Sequence, residues 1–144
     1  MQVQRVKIVF FLFVILCLSA SGANDFRDVR EVSLKKDEQK KILVRYDLKE
    51  RLFKFRWTLY QNGVLTIHRS YDGKVAQNTL YLRSKNQSFR LELKPRGTDY
   101  YNVAYLLVTF KEFDYKKKKA KFDLFLSDDK MQIKLIELKN TKER

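Results

Sequence analysis

The residues of this sequence best suited to intermolecular chemistry are four consecutive lysines, Lys116 to Lys119. Phe113 and Tyr115 come just before them. Adjacent ammonium groups concentrate positive charge and attract anionic partners, and the neighbouring rings could lodge at a lipid headgroup boundary or stack on a sugar. Consecutive lysines also keep a hairpin soluble and discourage edge pairing of strands. The run therefore predicts a candidate binding loop and leaves a purely solubilising role open.

A second candidate contact surface is the tyrosine-rich segment after Gly97, which contains Tyr100 and Tyr101. Tyrosine buries a large contact area at a low conformational cost, and this makes tyrosine-rich loops common binding surfaces. Tyrosines that only anchor a loop onto the edge of a sandwich would give the same pattern. The two segments supply the predicted partner-binding residues: Lys116, Lys117, Lys118, Lys119, Tyr100 and Tyr101.

Residue types that serve catalysis or bind metals are scarce. The only histidine is His68 and the only cysteine is Cys17, which excludes a thiolate or histidine-rich metal site. No Gly-x-Ser-x-Gly elbow or glycine-rich phosphate loop occurs. The pair Asp128-Asp129 matches no calcium loop and is expected in a hairpin turn, whereas Glu112 and Asp114 are expected to form ion pairs at a strand end. The sequence thus predicts no catalytic residue, no metal site and no cofactor.

The N-terminus has the three-part pattern of a secretory signal peptide. Arg5 and Lys7 precede an unbroken apolar run from Ile8 to Leu18, and small residues follow. The run is shorter than the about 20 apolar residues of a spanning helix, which argues against an uncleaved anchor. We expect residues 1–23 to be removed, with cleavage after Ser21 as the near alternative. The mature chain is then extracytoplasmic, either periplasmic or secreted.

The expected mature chain, residues 24–144, is long enough for one domain. Arg5 and Lys7 account for two of the +14 formal charges of the full sequence, which leaves +12 for the mature chain. This excess favours an acidic partner. Outside the cytoplasm we expect an anionic lipid, an acidic glycan or an acidic protein, and not a nucleic acid. A basic surface that serves only solubility is the alternative.

Alternation of apolar and polar residues with period two dominates the mature chain, and polar or glycine-containing turns interrupt it. This pattern predicts eight or nine antiparallel strands. Their apolar positions fall in these segments: Val29–Leu34, Ile42–Tyr46, Phe53–Leu59, Leu65–Tyr71, Leu80–Leu82, Phe89–Leu93, Leu106–Phe110, Ala120–Leu126 and Ile133–Leu135.

The clearest predicted hairpin surrounds Gln61-Asn62-Gly63. A two-residue turn at Asn62-Gly63 would place apolar residues opposite polar ones. We therefore predict a three-residue turn of type I with a bulge at Gly63. This register pairs apolar residues on one buried face: Phe53 with Tyr71, Trp57 with Ile67, and Leu59 with Leu65. The solvent face then carries two polar pairs: Arg56 with His68, and Thr58 with Thr66.

The strand pattern suits an antiparallel two-sheet sandwich or an up-and-down β-barrel. We favour the all-β sandwich because several strands have apolar residues on both faces, among them Phe113 and Phe125. Trp57 is also predicted to point inward, as the core tryptophan of immunoglobulin-like folds does. The resemblance is one of architecture, since the cysteine pair is missing. The predicted organisation is one domain over residues 24–138 and a frayed polar tail over residues 139–144.

Three functions from different classes follow as hypotheses. The first is a non-catalytic domain that binds an anionic envelope surface or a protein partner through its basic and tyrosine-bearing loops. The second is a carrier of an apolar small molecule, with aromatic side chains lining a cavity. The third is a hydrolase that uses surface carboxylates, which no constellation of residues supports. We expect the first, and hence no enzymatic activity.

Overall fold

The computed structural model describes residues 26–93, 103–128 and 132–140. This part of the chain contains nine β-strands and no helix, so it holds no helical segment that could cross a membrane. The strands are β1 (Asp28–Lys35), β2 (Lys40–Tyr46), β3 (Lys49–Gln61), β4 (Val64–Tyr71), β5 (Lys74–Tyr81), β6 (Ser88–Glu92), β7 (Tyr105–Asp114), β8 (Lys119–Ser127) and β9 (Lys134–Leu138). The predicted signal segment, residues 1–23, lies outside the described residues.

The strands form two antiparallel sheets, which confirms the predicted sandwich. One sheet has the order β1-β8-β7-β6 and the other has the order β5-β4-β3-β2-β9. Most neighbours are consecutive in sequence, so the order is that of a meander. Among the described strands, β1 does not pair with β2 and β5 does not pair with β6, and the sheets do not close into a barrel.

The connection from β8 to β9 corrects one expectation about Asp128. This residue was expected in a hairpin turn, but β8 and β9 belong to different sheets and β9 pairs with β2. The segment therefore crosses between sheets. Asp128 forms an ion pair of 2.5 Å with Arg27, which joins the start of the described chain to the end of β8. Asp129 lies outside the described residues.

The core lies between the two sheets and is built from the inward positions of the alternating strands. Phe55 of β3 packs edge-on against Phe122 of β8, with ring centroids 5.4 Å apart. Trp57 is 4% exposed, and its indole nitrogen donates a 2.8 Å hydrogen bond to the Leu34 carbonyl of the opposite sheet. A buried indole needs such a partner. The prediction that Trp57 points inward is therefore confirmed.

The hairpin of β3 and β4 has the predicted register at its base but not at its turn. Trp57 pairs with Ile67 as predicted, whereas Leu59 pairs with Thr66 and not with Leu65. The turn is the two-residue Asn62-Gly63 form, with φ of 51° and 76°, as a type I′ turn requires. The register shift falls between Trp57 and Leu59, so the bulge is at Thr58 and the predicted bulge at Gly63 is wrong.

A second bulge lies in β7 of the other sheet. Phe110 pairs with Phe122, but Glu112 pairs with Lys121, so Lys111 is the extra residue. A bulge moves the residues beyond it to the opposite face of the strand. Phe113 therefore points to the same face as Phe110, although alternation would place it outside. Thr58 and Lys111 lie in facing sheets, and this arrangement builds the site described next.

Candidate functional site: a lysine-rich tip beside an aromatic groove

The two bulges bring one aromatic residue from each sheet into contact at the same end of the sandwich. Tyr60 follows the bulge in β3, and Phe113 follows the bulge in β7. Their rings stack with centroids 4.0 Å apart and an interplanar angle of 13°. Phe113 also meets Trp57 edge-on at 5.7 Å. An aromatic stack that spans both sheets therefore lies at this end of the sandwich.

Tyr115 extends this stack to the surface. Its ring lies 5.0 Å from Phe113, and its hydroxyl shares a 2.7 Å hydrogen bond with the Tyr60 hydroxyl. Burial, reinforced by this hydrogen bond, raises the pKa of Tyr60 above its ordinary value. Tyr115 remains 70% exposed. The Tyr115 ring is thus open to solvent on one side and held by Phe113 and Tyr60 on the other.

The turn between β7 and β8 holds the lysines in a defined shape. The Asp114 carboxylate accepts hydrogen bonds from the backbone nitrogens of Lys116 and Lys117, each 3.0 Å long. These bonds hold the pKa of Asp114 below its ordinary value. Lys118 occupies a left-handed conformation with φ of 51°. Lys116, Lys117 and Lys118 are exposed in the turn, whereas Lys119 is the first residue of β8.

Two further lysines join this group from the end of β1 and the turn that follows it. Lys35 pairs directly with Lys119 across the strands, and like charges in that position repel. Lys36 is the next residue along the chain and is exposed. We call Lys35, Lys36 and Lys116–Lys119 the lysine tip. The sequence analysis predicted only Lys116–Lys119. It missed Lys35 and Lys36, because these lysines come next to Lys116–Lys119 only through the pairing of β1 with β8.

Among the described residues, no salt bridge joins a lysine of the lysine tip to a carboxylate. Three acids, Asp37, Glu38 and Asp114, lie in or beside the two turns, and the carboxylates of two of them contact the backbone. Glu38 accepts a 2.8 Å hydrogen bond from the Lys35 backbone nitrogen, and Asp114 accepts those of the turn. Asp114 was expected to form an ion pair and forms no salt bridge among the described residues, although the nearby Lys117 also helps to lower its pKa. Glu112 does form one, at 2.8 Å, with Lys121.

An open groove of about 360 Å³ runs beside the stack. We call it the tip groove. Its lining residues are Lys36, Trp57, Leu59, Tyr60, Phe113, Tyr115 and Lys118. The bulge at Thr58 turns Leu59 outward, and this side chain is 55% exposed. The lining is mostly apolar and includes no carboxylate, while a lysine comes from each of two different turns.

The other residues considered in the sequence analysis are Tyr100, Tyr101 and His68. Tyr100 and Tyr101 lie outside the described residues. His68 pairs with Arg56 as predicted and is half-buried. No cluster of three or more potential metal ligands occurs among the described side chains.

Comparisons of the chain with models of protein families, with curated proteins and with solved structures find no match. By its fold and its candidate site, the described part of the chain is an all-β, two-sheet sandwich with a lysine-rich tip.

Proposed function

We propose that the mature chain is a non-catalytic, extracytoplasmic domain that binds an anionic lipid surface through the lysine tip. The observation that carries this proposal is the set of six lysines at one end of the sandwich without an ion-pair partner among the described residues. Each basic residue close to an anionic membrane contributes about 1 kcal/mol of binding free energy. Such a cluster would thus recruit the domain in a manner that depends on salt.

The exposed apolar side chains beside the lysines favour a lipid surface over an acidic protein or glycan. Leu59 and Tyr115 are 55% and 70% exposed, and both line the tip groove. Membrane-surface binders combine basic residues with apolar ones that enter the headgroup boundary. Tyrosine suits this position because its ring is apolar and its hydroxyl stays in the polar layer. The single tip would supply both contributions.

The test compares two variants with the same change in net charge. The tip variant is K116S/K117S/K118S. The matched control is K40S/K111S/K121S, which removes three lysines that each contact a carboxylate. Binding of residues 24–144 to phosphatidylcholine vesicles with and without phosphatidylglycerol is measured by co-sedimentation over a range of salt concentrations. We expect the tip variant to lose roughly 100-fold in affinity for the anionic vesicles and the control to lose far less.

Three results would contradict the proposal. They are equal losses in the two variants, binding that does not weaken as salt rises, and binding to a sulfated polysaccharide with none to anionic vesicles. The last result would assign the lysine tip to an acidic glycan. Melting temperatures of both variants serve as the folding control. The tip variant should change stability by less than about 0.5 kcal/mol, because Lys116, Lys117 and Lys118 are exposed and form no salt bridge with the described residues.

The hydrolase hypothesis receives no support from the geometry of the described carboxylates. Glu112 pairs with Lys121, and Asp114 accepts hydrogen bonds from the backbone. Secretion remains part of the proposal and is supported by the sequence pattern of residues 1–23. N-terminal sequencing of the protein from its own host tests it, with Asn24 as the expected first residue and Met1 as the contradicting one.

A further inference from the structure

We propose that the tip groove is a binding site for a single-chain anionic amphiphile, of which an alkyl carboxylate is the simplest example. The alkyl chain would lie against Trp57, Leu59 and Phe113, and the headgroup would contact Lys36 or Lys118. This inference deepens the proposed function, because it uses the same end of the sandwich, but it concerns a monomeric ligand and can be tested separately.

The composition of the groove selects for an apolar chain. Its walls are one indole, one leucine and three other aromatic rings. Binding sites for small molecules have mainly hydrophobic walls with a few placed polar groups. The volume of about 360 Å³ is near the lower end of the range for such sites, about 300 Å³. The groove therefore has room for one chain and not for a whole two-chain lipid.

The polar groups of the groove argue against a neutral sugar. Sugar hydroxyls need both donors and acceptors at the wall, and the lining includes no carboxylate and no side-chain amide. The Tyr60 and Tyr115 hydroxyls share one 2.7 Å hydrogen bond, which leaves only one phenol O–H free to donate. The other polar side-chain groups available to a ligand are the ammonium groups of Lys36 and Lys118. Both are cations, so an anionic headgroup complements them.

The backbone fixes the position of the groove walls. The backbone nitrogen of Asp37 donates a 2.9 Å hydrogen bond to the Trp57 carbonyl, which ties the turn that carries Lys36 to the strand that carries Leu59. The Asp114 hydrogen bonds fix the turn that carries Lys118. The backbone of the two lysine-bearing turns and the apolar walls are therefore held in place before any ligand arrives, and this preorganisation lowers the entropic cost of binding.

Trp57 provides the readout, because it is the only tryptophan of the chain and lines the groove. Bromine quenches tryptophan fluorescence at short range, so 11-bromoundecanoate is a suitable probe. Its uncharged control is 11-bromoundecanol, and both are used as monomers. We expect saturable quenching by the carboxylate, with affinity about tenfold or more above that of the alcohol because charge-assisted hydrogen bonds are lost with the alcohol.

Two pairs of variants localise the site. The first pair tests the headgroup contact. K36Q/K118Q should reduce the affinity for the carboxylate to that for the alcohol. K74Q/K85Q makes the same change in charge on β5 and in the turn after it, and should leave the affinity unchanged.

The second pair tests the alkyl-chain contact. L59S should weaken the binding of both probes by roughly tenfold. V75S changes a valine of β5 that is 79% exposed, and should weaken the binding of neither probe. Equal binding of both probes to the wild type, or loss in the control variants, would overturn the inference.

Vesicle binding and quenching by the monomeric probe report on two different sites of the tip. Co-sedimentation with anionic vesicles but no quenching by monomeric 11-bromoundecanoate would leave the lysine tip as a surface binder and reject the groove as a ligand site. Saturable quenching without vesicle binding would do the reverse. Quenching only by vesicles of a chain-brominated phospholipid would also reject the single-chain ligand, since the chain would then come from the bilayer.

Discussion

The outer face of the four-stranded sheet and the lysine tip are both rich in lysine, yet their charges are handled differently. On the sheet face, the Lys111 ammonium contacts Glu31 at 2.7 Å and Asp123 at 3.8 Å. Lys121 contacts Glu112 at 2.8 Å. At the tip, Glu38 and Asp114 bind backbone nitrogens instead. Lys111 and Lys121 of the sheet face thus form salt bridges, whereas the lysines of the tip form none with the described residues.

The difference has a structural cause. On a flat sheet, residues on adjacent strands lie side by side, so a lysine and a glutamate on neighbouring strands meet without bending the chain. In a tight turn, the backbone nitrogens that no strand pairs are the nearest donors, and aspartate satisfies them. Glu38 and Asp114 therefore bind the backbone of the turns. A count of basic residues alone does not distinguish the two situations, and the proposal of an anionic partner rests on the lysines that form no salt bridge.

The largest expected effect concerns the aromatic support of the tip. Phe113→Ala removes the stack with Tyr60 and the edge contact with Trp57. Full burial makes phenylalanine-to-alanine changes cost about 3–5 kcal/mol, and because Phe113 is half-buried we expect about 2 kcal/mol. Urea unfolding measures the loss. Tyr115→Ala is the matched control and should cost much less, because its ring is 70% exposed. Equal costs would show that the stack does not support the tip.

The second prediction concerns lysines of the sheet face that lose their carboxylate partners. Glu31→Gln with Glu112→Gln frees the Lys111 and Lys121 ammonium groups from their strongest partners. Two freed lysines should raise the affinity for anionic vesicles by up to about tenfold, since each contributes about 1 kcal/mol near the surface and exposed charges are screened. Co-sedimentation measures the gain, and the further changes Lys111→Gln and Lys121→Gln should cancel it. An unchanged affinity in the double variant would show that ion pairing does not decide which lysines bind.

Most of the fold is predictable from the sequence because alternation is a direct consequence of strand geometry. The inward set Phe53, Phe55 and Trp57 is buried as predicted, and the predicted sandwich is the observed architecture. The pairing of β1 with β8 was not predicted. It joins residues far apart in the chain, such as Lys35 and Lys119, and local patterning contains no information about which distant strands become neighbours.

The site was missed in part because strict alternation leaves no place for a bulge. Trp57 and Tyr60 are three residues apart, and so are Phe110 and Phe113. In a regular strand such a step places the two rings on opposite faces, and a bulge between them brings them to one face. The signal in the sequence was this spacing of three between aromatic residues near the ends of two strands. It would have predicted that Tyr60 and Phe113 point inward and that Leu59 points outward.

The smallest expected effect is the pH dependence of the ion pair on the sheet face. The hydrogen bond from Lys111 holds the pKa of Glu31 below its ordinary value. A carboxyl group whose pKa is lowered by folding stabilises the folded state above its unfolded pKa, and this contribution is lost as the pH falls through the folded pKa. The melting temperature should therefore fall less steeply below about pH 4.3, the ordinary value for glutamate, in Glu31→Gln than in the wild type.

A double-mutant comparison identifies the partner in this titration. In a Lys111→Met background the Glu31 carboxylate loses its main cationic partner and keeps only the smaller effect of Lys121 on its pKa. Glu31→Gln should therefore change the fall of the melting temperature at acidic pH much less than it does with Lys111 present. Calorimetry of the four proteins between neutral and acidic pH measures the difference. If Glu31→Gln has the same effect with and without Lys111, the sheet-face lysine is not bound to its carboxylate in solution. The contrast with the tip would then rest on the position of the lysines and not on their neutralisation.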